Sequence, residues 1–141
     1  MNIAPIFRSD FRTLAELRIE EARILLSERK QEGAYYLAGY AVECALKACI
    51  AKRTRRYQFP PEKVYVDKVY SHRLSELVKL AGLDSDLDKE ASKNTPFATN
   101  WNTVKDWTEQ SRYKTSGLNG KDMYDAVAGK DGVLQWIRMR W

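Results

Sequence analysis

The sequence predicts an all-α fold, an up-and-down bundle of four to six helices in a single domain over residues 1–141, with the core in residues 9–141. Three observations support this prediction. Glycine and proline are scarce, at 7 and 4 residues, which disfavours a turn-rich β protein. Apolar residues recur at helical spacing in several segments. One of these segments, residues 34–51, is apolar on nearly all sides, which is typical of a central bundle helix or the core of a dimer.

The composition is that of a globular protein. Hydrophobic residues make up 44% and charged residues 30% of the chain, so a core can form without a disulfide or a metal. The net charge of +5 is compatible with a polyanionic partner but does not require one. No signal peptide opens the chain and no segment is long and apolar enough to cross a membrane, so we expect a cytoplasmic protein without membrane association.

The first helix is predicted over residues 11–30. Ser9 or Asp10 precedes it, and either side chain can accept a hydrogen bond from the first turn as an N-cap. Apolar residues in this segment follow one stripe and charged residues the opposite side. Gly33 then marks the break before the second helix.

The second helix, predicted over residues 34–53, carries the strongest signal. The only charged residues in the run AYYLAGYAVECALKACIA are Glu43 and Lys47, which share one face because they lie four residues apart. Cys44 and Cys49 lie five apart on this helix, too far for a disulfide. We therefore expect both thiols to be reduced and to act as small core residues.

The remaining helices are shorter. Pro60 and Pro61 end the second helix, and residues 64–70 are predicted to form a loop over the bundle. Ser71 is the predicted N-cap of a third helix over residues 72–81, which Gly82 ends. A fourth helix is predicted at 85–93, and a fifth begins at Thr95 and Pro96. A loop is predicted at 114–120. The last helix is predicted at 121–141, where Gly129 and Gly132 weaken and kink it.

No metal or cofactor is expected. One histidine and two cysteines on different faces of a buried helix cannot form a tetrahedral zinc site. The glycines have the spacing of neither common phosphate-binding loop.

Two polar groups have both a structural and a functional interpretation. Glu43 and Lys47 are either an ion pair in a polar seam of the bundle or a pair that faces a ligand or phosphate in a cleft. His72 either bridges a loop to a helix start or acts as a proton carrier, since histidine exchanges protons near neutral pH.

Two basic segments also have alternative interpretations. Arg112, Tyr113 and Lys114 lie where a helix meets a loop; Arg112 can grip a phosphate while Tyr113 stacks on a base, or Arg112 can simply cap the helix. The basic run of residues 52–56, which includes Arg53 and Arg56, is either a solvated helix end or a track for a nucleic-acid backbone.

Several of these segments resemble the HEPN family. The block GAYYLAGYAVECALKA at residues 33–48 carries most of the likeness, and HRLSEL at 72–77 and WTEQSRY ending at Tyr113 add to it. The resemblance covers residues 11–141 and implies a helical bundle that forms homodimers and associates with nucleotides or RNA. For many members it also implies a metal-independent ribonuclease toxin, encoded beside a minimal nucleotidyltransferase antitoxin. Glu43, Lys47, Arg112 and Tyr113 match the family pattern.

One departure bears on mechanism. The ribonuclease members carry an arginine followed four to six residues later by a histidine, whereas here no arginine precedes His72 and no histidine follows Arg112 at that spacing. We therefore predict a degenerate or non-catalytic homodimer of a toxin–antitoxin or defence system that binds RNA or a nucleotide. Two alternatives remain: a metal-independent endoribonuclease that combines His72 of one subunit with Arg112 or Lys47 of the other, and an interaction module that docks onto a nucleotidyltransferase.

Overall fold

The computed structural model describes residues 8–57 and 70–141, with side chains of the first range up to Thr54, and all regular structure in these residues is helical. This confirms the all-α prediction. None of the helices in these ranges has the length and hydrophobicity that a membrane span requires. The helices are α1 Arg8–Ser27, α2 Gln31–Tyr57, α3 Leu74–Leu80, α4 Asp84–Lys93, α5 Thr95–Val104, a 3-10 helix Glu109–Tyr113, α6 Gly120–Ala128 and α7 Val133–Arg138.

Helix α2 is the centre of the bundle. It runs antiparallel to α1. Gly33 of α2 lies against Leu25 of α1 at one end, and at the other end the positive charge of Arg8 acts to lower the pKa of the Cys49 thiol. Helices α3, α6, α7 and the 3-10 helix pack on its remaining sides. The hydrophobic surface of α2 is thus buried within one chain, and its composition alone gives no reason for dimerisation. The homodimer stays a prediction. The fully buried alanines of α2 are Ala34, Ala38, Ala41, Ala45 and Ala48.

The turn between α1 and α2 differs from the prediction. The chain reverses at Arg29, whose φ of 61° lies in the left-handed region, and Gly33 lies inside α2. A Cβ atom on Gly33 would lie 3.0 Å from Leu25 Cδ1, so this glycine permits close helix packing and does not mark a break. Ser9 and Asp10 are likewise inside the first turn of α1 and not ahead of it.

Helix α2 is longer than predicted at both ends, because the polar residues that flank the apolar run continue the helix. The predicted stop at Pro60 and Pro61 lies outside the described residues, as does the predicted loop at 64–70 except for Tyr70.

Helix α3 begins at Leu74, two residues later than predicted, with Arg73 at the N-cap. Ser71 is not the cap, but its Oγ accepts a hydrogen bond from Arg73 N at 3.1 Å and donates to Glu76 Oε2 at 3.1 Å. The side chain thereby holds the turn that leads into the helix. Gly82, with φ 72°, ends α3 as predicted.

The C-terminal half follows the prediction less closely. Asn94 Oδ1 accepts a hydrogen bond from Phe97 N at 3.1 Å and opens α5. The predicted last helix is divided into α6 and α7, with Asp131 at φ 56° between them. A Cβ atom on Gly132 would lie 2.6 Å from the Val127 carbonyl oxygen, so the two segments meet backbone to backbone. The glycines break the helix here and do not merely kink it.

Both cysteine thiols are free and buried, as their spacing predicts. Burial raises the pKa of Cys44 and of Cys49 from 9.0 to about 11. The folded chain therefore holds both thiol protons over a pH range in which the unfolded chain loses them.

We expect the free energy of unfolding to fall as the pH rises from about 9 to about 11, by about 1.4 kcal/mol per pH unit for each thiol, because unfolding releases protons in that range. Urea unfolding at pH 8.0 and at pH 10.0 measures the loss. The double variant Cys44→Ala/Cys49→Ala should lose less stability between these two pH values. Equal losses in the variant and the parent would contradict the prediction.

Candidate nucleic-acid interface

Helix α2 carries one polar seam, formed by Tyr36, Tyr40, Glu43 and Lys47, whose spacing places them on one face of the helix. Glu43 lies deep in the bundle and is only 2% exposed. Its Oε2 lies 3.3 Å from the Nζ of Lys47, whose side chain is 13% exposed. A carboxylate buried this far is tolerated only when it is paired and hydrogen-bonded.

His72 supplies the second partner of Glu43. Its Nδ1 lies 2.8 Å from Glu43 Oε1, although the two residues are 29 positions apart. The buried side chains of Leu74 and Leu77 hold α3 in the core and thereby help to position His72, which lies two residues before the helix. A carboxylate only accepts hydrogen bonds, so Nδ1 donates to Glu43. The other ring nitrogen, Nε2, is then available to exchange a proton with a ligand or with solvent, since the His72 side chain is 44% exposed.

Three aromatic rings extend the seam toward the start of α2. Tyr36 stacks between Tyr40 and Trp107, with ring centroids 5.9 Å apart in both pairs. Gly39 makes room for this aromatic stack, because a Cβ atom there would overlap the indole of Trp107. Trp107 is buried, and its Nε1 has no hydrogen-bond partner within the described residues.

Arg112 meets the aromatic stack from the 3-10 helix. Its guanidinium lies 5.0 Å from the centroid of the Tyr113 ring. Hydrogen bonding to the hydroxyls of Tyr113 and Tyr36 raises the pKa of Arg112 above its already high ordinary value. Tyr113 is 68% exposed, and Lys114 beside it is also exposed. A permanent cation and an exposed ring thus stand at the edge of the aromatic stack.

A cleft of about 660 Å³ opens between α3 and the segment that joins α5 to the 3-10 helix. Trp107 forms part of the wall of this lateral cleft and also stacks on Tyr36, so one residue belongs to both the cleft and the aromatic stack. Basic side chains outnumber acidic ones around it. The charged lining residues are Arg73, Lys79 and Lys105 on the basic side and Glu76 and Asp106 on the acidic side.

A family model described as HEPN domain matches residues 9–138, which is nearly the whole chain. The chain belongs to the HEPN family. Comparison with curated proteins and with solved structures gives no match.

The structure divides the predicted site residues of this HEPN domain into separate groups. Lys47 and His72 each contact Glu43 directly. Arg112 interacts with Tyr36 of the aromatic stack and with the ring of Tyr113, and the exposed Lys114 follows in the sequence. Tyr36 lies two helical turns, or about 10 Å, along α2 from Glu43. Arg53 lies near the other end of α2, where its Nη1 lies 3.5 Å from the Leu80 carbonyl oxygen. The side chain of Arg56 lies outside the described residues.

Sequence reasoning missed several residues of this HEPN surface. Trp107 lies beyond the end of α5 at Val104, and its indole packs on the polar seam of α2. Arg73 and Lys105 were not singled out. Their positions in the sequence could have indicated a place near the site. Arg73 directly follows the lone histidine, and Lys105 precedes a tryptophan by two residues.

The HEPN arrangement offers three chemical capacities. His72 presents a ring nitrogen for proton transfer, Arg112 presents a cation for a phosphate, and Tyr113 presents a ring for base stacking. Within residues 8–57 and 70–141, no group of three histidine, cysteine, aspartate or glutamate side chains is arranged to hold a metal ion.

Proposed function

We propose that this HEPN protein binds single-stranded RNA along the face that joins the aromatic stack, Arg112 and the lateral cleft. The environment of Arg112 carries the proposal. Its guanidinium lies beside an exposed tyrosine ring, and it forms no salt bridge within 4.0 Å with any carboxylate of the described residues. A cation in this setting suits a phosphate whose neighbouring base stacks on the ring.

The lateral cleft supports the same proposal. Its basic residues Arg73, Lys79 and Lys105 line the cleft together with Trp107 of the aromatic stack, and in this proposal they contact the phosphates of a bound strand. Contacts of this kind do not depend on base sequence. We therefore expect affinity to depend steeply on salt and weakly on RNA sequence.

The variant Arg112→Ala is expected to weaken binding of a labelled single-stranded RNA by about 5- to 10-fold and to reduce the slope of log affinity against log salt by about 1, because one phosphate contact is lost. Fluorescence anisotropy over a salt series measures both quantities. Tyr113→Ala should weaken binding without changing the slope, since stacking releases no counterions.

Arg23→Ala is the matched control, because Arg23 is an exposed arginine of α1 that pairs with Glu20. It removes the same charge away from the proposed face, so its RNA affinity should stay close to that of the parent. RNA binding that falls equally in the Arg23 and Arg112 variants would reflect net charge only and would contradict the proposal.

A second candidate function is metal-independent RNA cleavage, and the contact between Glu43 and His72 favours it. A buried carboxylate that accepts a hydrogen bond from Nδ1 orients the imidazole and supports its role as a base, as in other carboxylate–histidine pairs. The missing arginine–histidine spacing of the family's ribonucleases therefore does not by itself remove the proton carrier. In this candidate mechanism, Nε2 of His72 takes the proton of the RNA 2′-hydroxyl as the 2′-oxygen attacks the adjacent phosphorus. The bond from phosphorus to the 5′-oxygen breaks, a 2′,3′-cyclic phosphate forms, and the departing 5′-oxygen takes a proton from water.

If His72 acts in this way, His72→Ala should lower the cleavage rate in the presence of EDTA by about 10²- to 10⁴-fold while RNA binding changes little. The double variant His72→Ala/Arg112→Ala, purified in parallel, sets the background from contaminating nucleases. Cleavage by the parent that does not exceed this background would eliminate the second candidate and leave RNA binding as the function.

A homodimer is part of this proposal for a geometric reason. Arg112 meets α2 at Tyr36 and His72 meets it at Glu43, about 10 Å apart along the helix axis, so in this proposal the two groups that act on one phosphate come from different subunits. A second subunit that brings its Arg112 toward His72 would close that gap. Light scattering at micromolar concentration tests the dimer, and a monomer would contradict it. The proposed toxin–antitoxin role is tested by co-purification with the product of the neighbouring gene, where a minimal nucleotidyltransferase is expected.

A further inference from the structure

A second cleft, distinct from the proposed RNA face, lies near the C-terminal end of α2. It has a volume of about 340 Å³, within the range of about 300–1,000 Å³ that is typical of small-molecule sites. Its polar lining consists of Lys52, Arg53 and Arg140, and Cys49 contributes to the apolar part. At 100° per residue, Lys52 lies on the opposite side of α2 from Glu43. We call this the basic cleft.

The charge of the basic cleft is not neutralised. Its lining includes no acidic residue, and none of its three cations forms a salt bridge within 4.0 Å with a carboxylate of residues 8–57 or 70–141. Burial raises the pKa of the Cys49 thiol to about 11, while Lys52, Arg8 and Arg140 act on it in the opposite direction. Two of the cleft cations, Lys52 and Arg140, thus act on the thiol that lines the same cavity.

The cations of the basic cleft are positioned by the protein but retain free donors. Arg140 lies 3.9 Å from the Trp136 ring centroid and donates to the Trp136 carbonyl oxygen at 2.8 Å. Lys52 lies 3.4 Å from the Arg140 carbonyl oxygen, and Arg53 lies 3.5 Å from that of Leu80, so both contacts are weak. Since an arginine has five N–H donors and a lysine three, most of the donors remain for a ligand.

A glycine shapes the wall beside Arg53. Gly82 has φ 72°, and a Cβ atom there would overlap the Arg53 guanidinium. Any larger residue at this position would therefore displace a cation from the cleft. The absence of a side chain at Gly82 permits the positive φ that ends α3 and also leaves space for the Arg53 guanidinium.

We propose that the basic cleft binds the terminal phosphate of a phosphorylated small molecule or of an RNA end. Two guanidinium groups and one ammonium group around a cavity without acidic residues match the charge and the several acceptor oxygens of a phosphate monoester. The apolar lining, formed by Cys49, Ala81 and Leu83, gives the remainder of the ligand a surface to contact. This site is independent of the proposed RNA face and does not require it.

Pyrophosphate is the first probe, titrated into the whole chain at low salt and followed by NMR. We expect saturable shifts of the Gly82 and Leu83 amides. The variant Lys52→Gln/Arg140→Gln should lose at least tenfold in affinity, whereas Arg23→Gln/Lys93→Gln, which removes two exposed charges elsewhere, should change affinity less than twofold. No saturation, or an equal loss in both variants, would overturn the proposal. If the first variant does not fold, Lys52→Gln replaces it, because Lys52 is exposed and makes one weak contact.

Two further ligands distinguish the sources of the phosphate. Adenosine monophosphate that shifts the same amides identifies a free phosphorylated small molecule. A 5′-phosphorylated trinucleotide that does so when adenosine monophosphate does not identifies an RNA end. The same trinucleotide without its 5′-phosphate should not shift these amides, and equal binding of both forms would contradict recognition of a terminal phosphate.

Discussion

Replacing Gly39 by alanine is expected to destabilise the protein by about 3 kcal/mol, the upper part of the usual range for an overpacked core. The added Cβ would overlap the Trp107 indole, which is buried and stacks on Tyr36. The indole cannot move without breaking the aromatic stack and shifting the 3-10 helix that carries Arg112. The helix-forming preference of alanine over glycine, about 1 kcal/mol, offsets only part of this loss. Urea unfolding measures the change.

Gly33→Ala is the matched control for this prediction, because it is the same substitution in the same helix. Its Cβ would lie 3.0 Å from Leu25 Cδ1, a terminal methyl that can shift by a few tenths of an ångström. We therefore expect a change within about 1 kcal/mol of zero, since relief of the glycine entropy cost opposes the close contact. If Gly39→Ala is no more destabilising than Gly33→Ala, Trp107 does not occupy the position described.

A second variant separates local overlap from general disruption of α2. Trp107→Phe shortens the ring, and the double variant Gly39→Ala/Trp107→Phe should be less destabilised than the sum of the two single variants. This non-additivity is expected for residues in direct contact. Strict additivity would show that Gly39 acts on the fold through some other neighbour.

The core of the fold could be predicted because its signal is local. The length of the apolar run in α2 and the shared face of Glu43 and Lys47 follow from residues a few positions apart, and the structure has both. The all-α class follows from the same periodicity. Local patterns of this kind do not depend on how distant segments meet.

The failures concern features that depend on long-range packing. Gly33 and Gly39 both lie inside α2, where each makes room for a side chain of another segment. The residues near either glycine in the sequence do not indicate which side chain packs there. The break between α6 and α7 was predicted only as a kink at Gly129 and Gly132, for a related reason. The apolar residues on both sides of Asp131 keep helical spacing because both short helices pack into the same core.

The candidate site shows the same limit. His72 lies 29 residues from Glu43, and only the packing of α3 against α2 brings its ring to the carboxylate. The sequence identified both residues separately but could not connect them. The basic residues were grouped by type in the sequence, whereas the structure assigns Arg53 and Arg112 to different surfaces.

Glu43→Ala is expected to cost about 3–5 kcal/mol, because it removes one partner of a largely buried ion pair. Lys47 would keep a charge with little solvent around it, and His72 would lose its acceptor. Glu43→Gln should also destabilise, since an amide carries no charge to balance the ammonium. Both changes are measurable by urea unfolding at pH 7.

The double variant Glu43→Leu/Lys47→Met should recover most of this stability, because a buried ion pair can often be replaced by apolar side chains of similar size at little cost. If the double variant is as unstable as Glu43→Ala, then the carboxylate stabilises the fold mainly through His72 and not through Lys47. The single variant His72→Ala then serves as the comparison and should carry most of the loss.

This double variant also separates stability from function. It leaves His72 in place but removes the carboxylate that orients the ring, while Arg112 and Tyr113 are untouched two helical turns away. If Glu43 serves only the fold, a stable double variant should retain all activity toward RNA. If it positions His72 for proton transfer, cleavage should fall while the affinity for RNA and its salt dependence stay unchanged. The double variant therefore distinguishes a purely structural role of the buried carboxylate from an additional role in positioning His72.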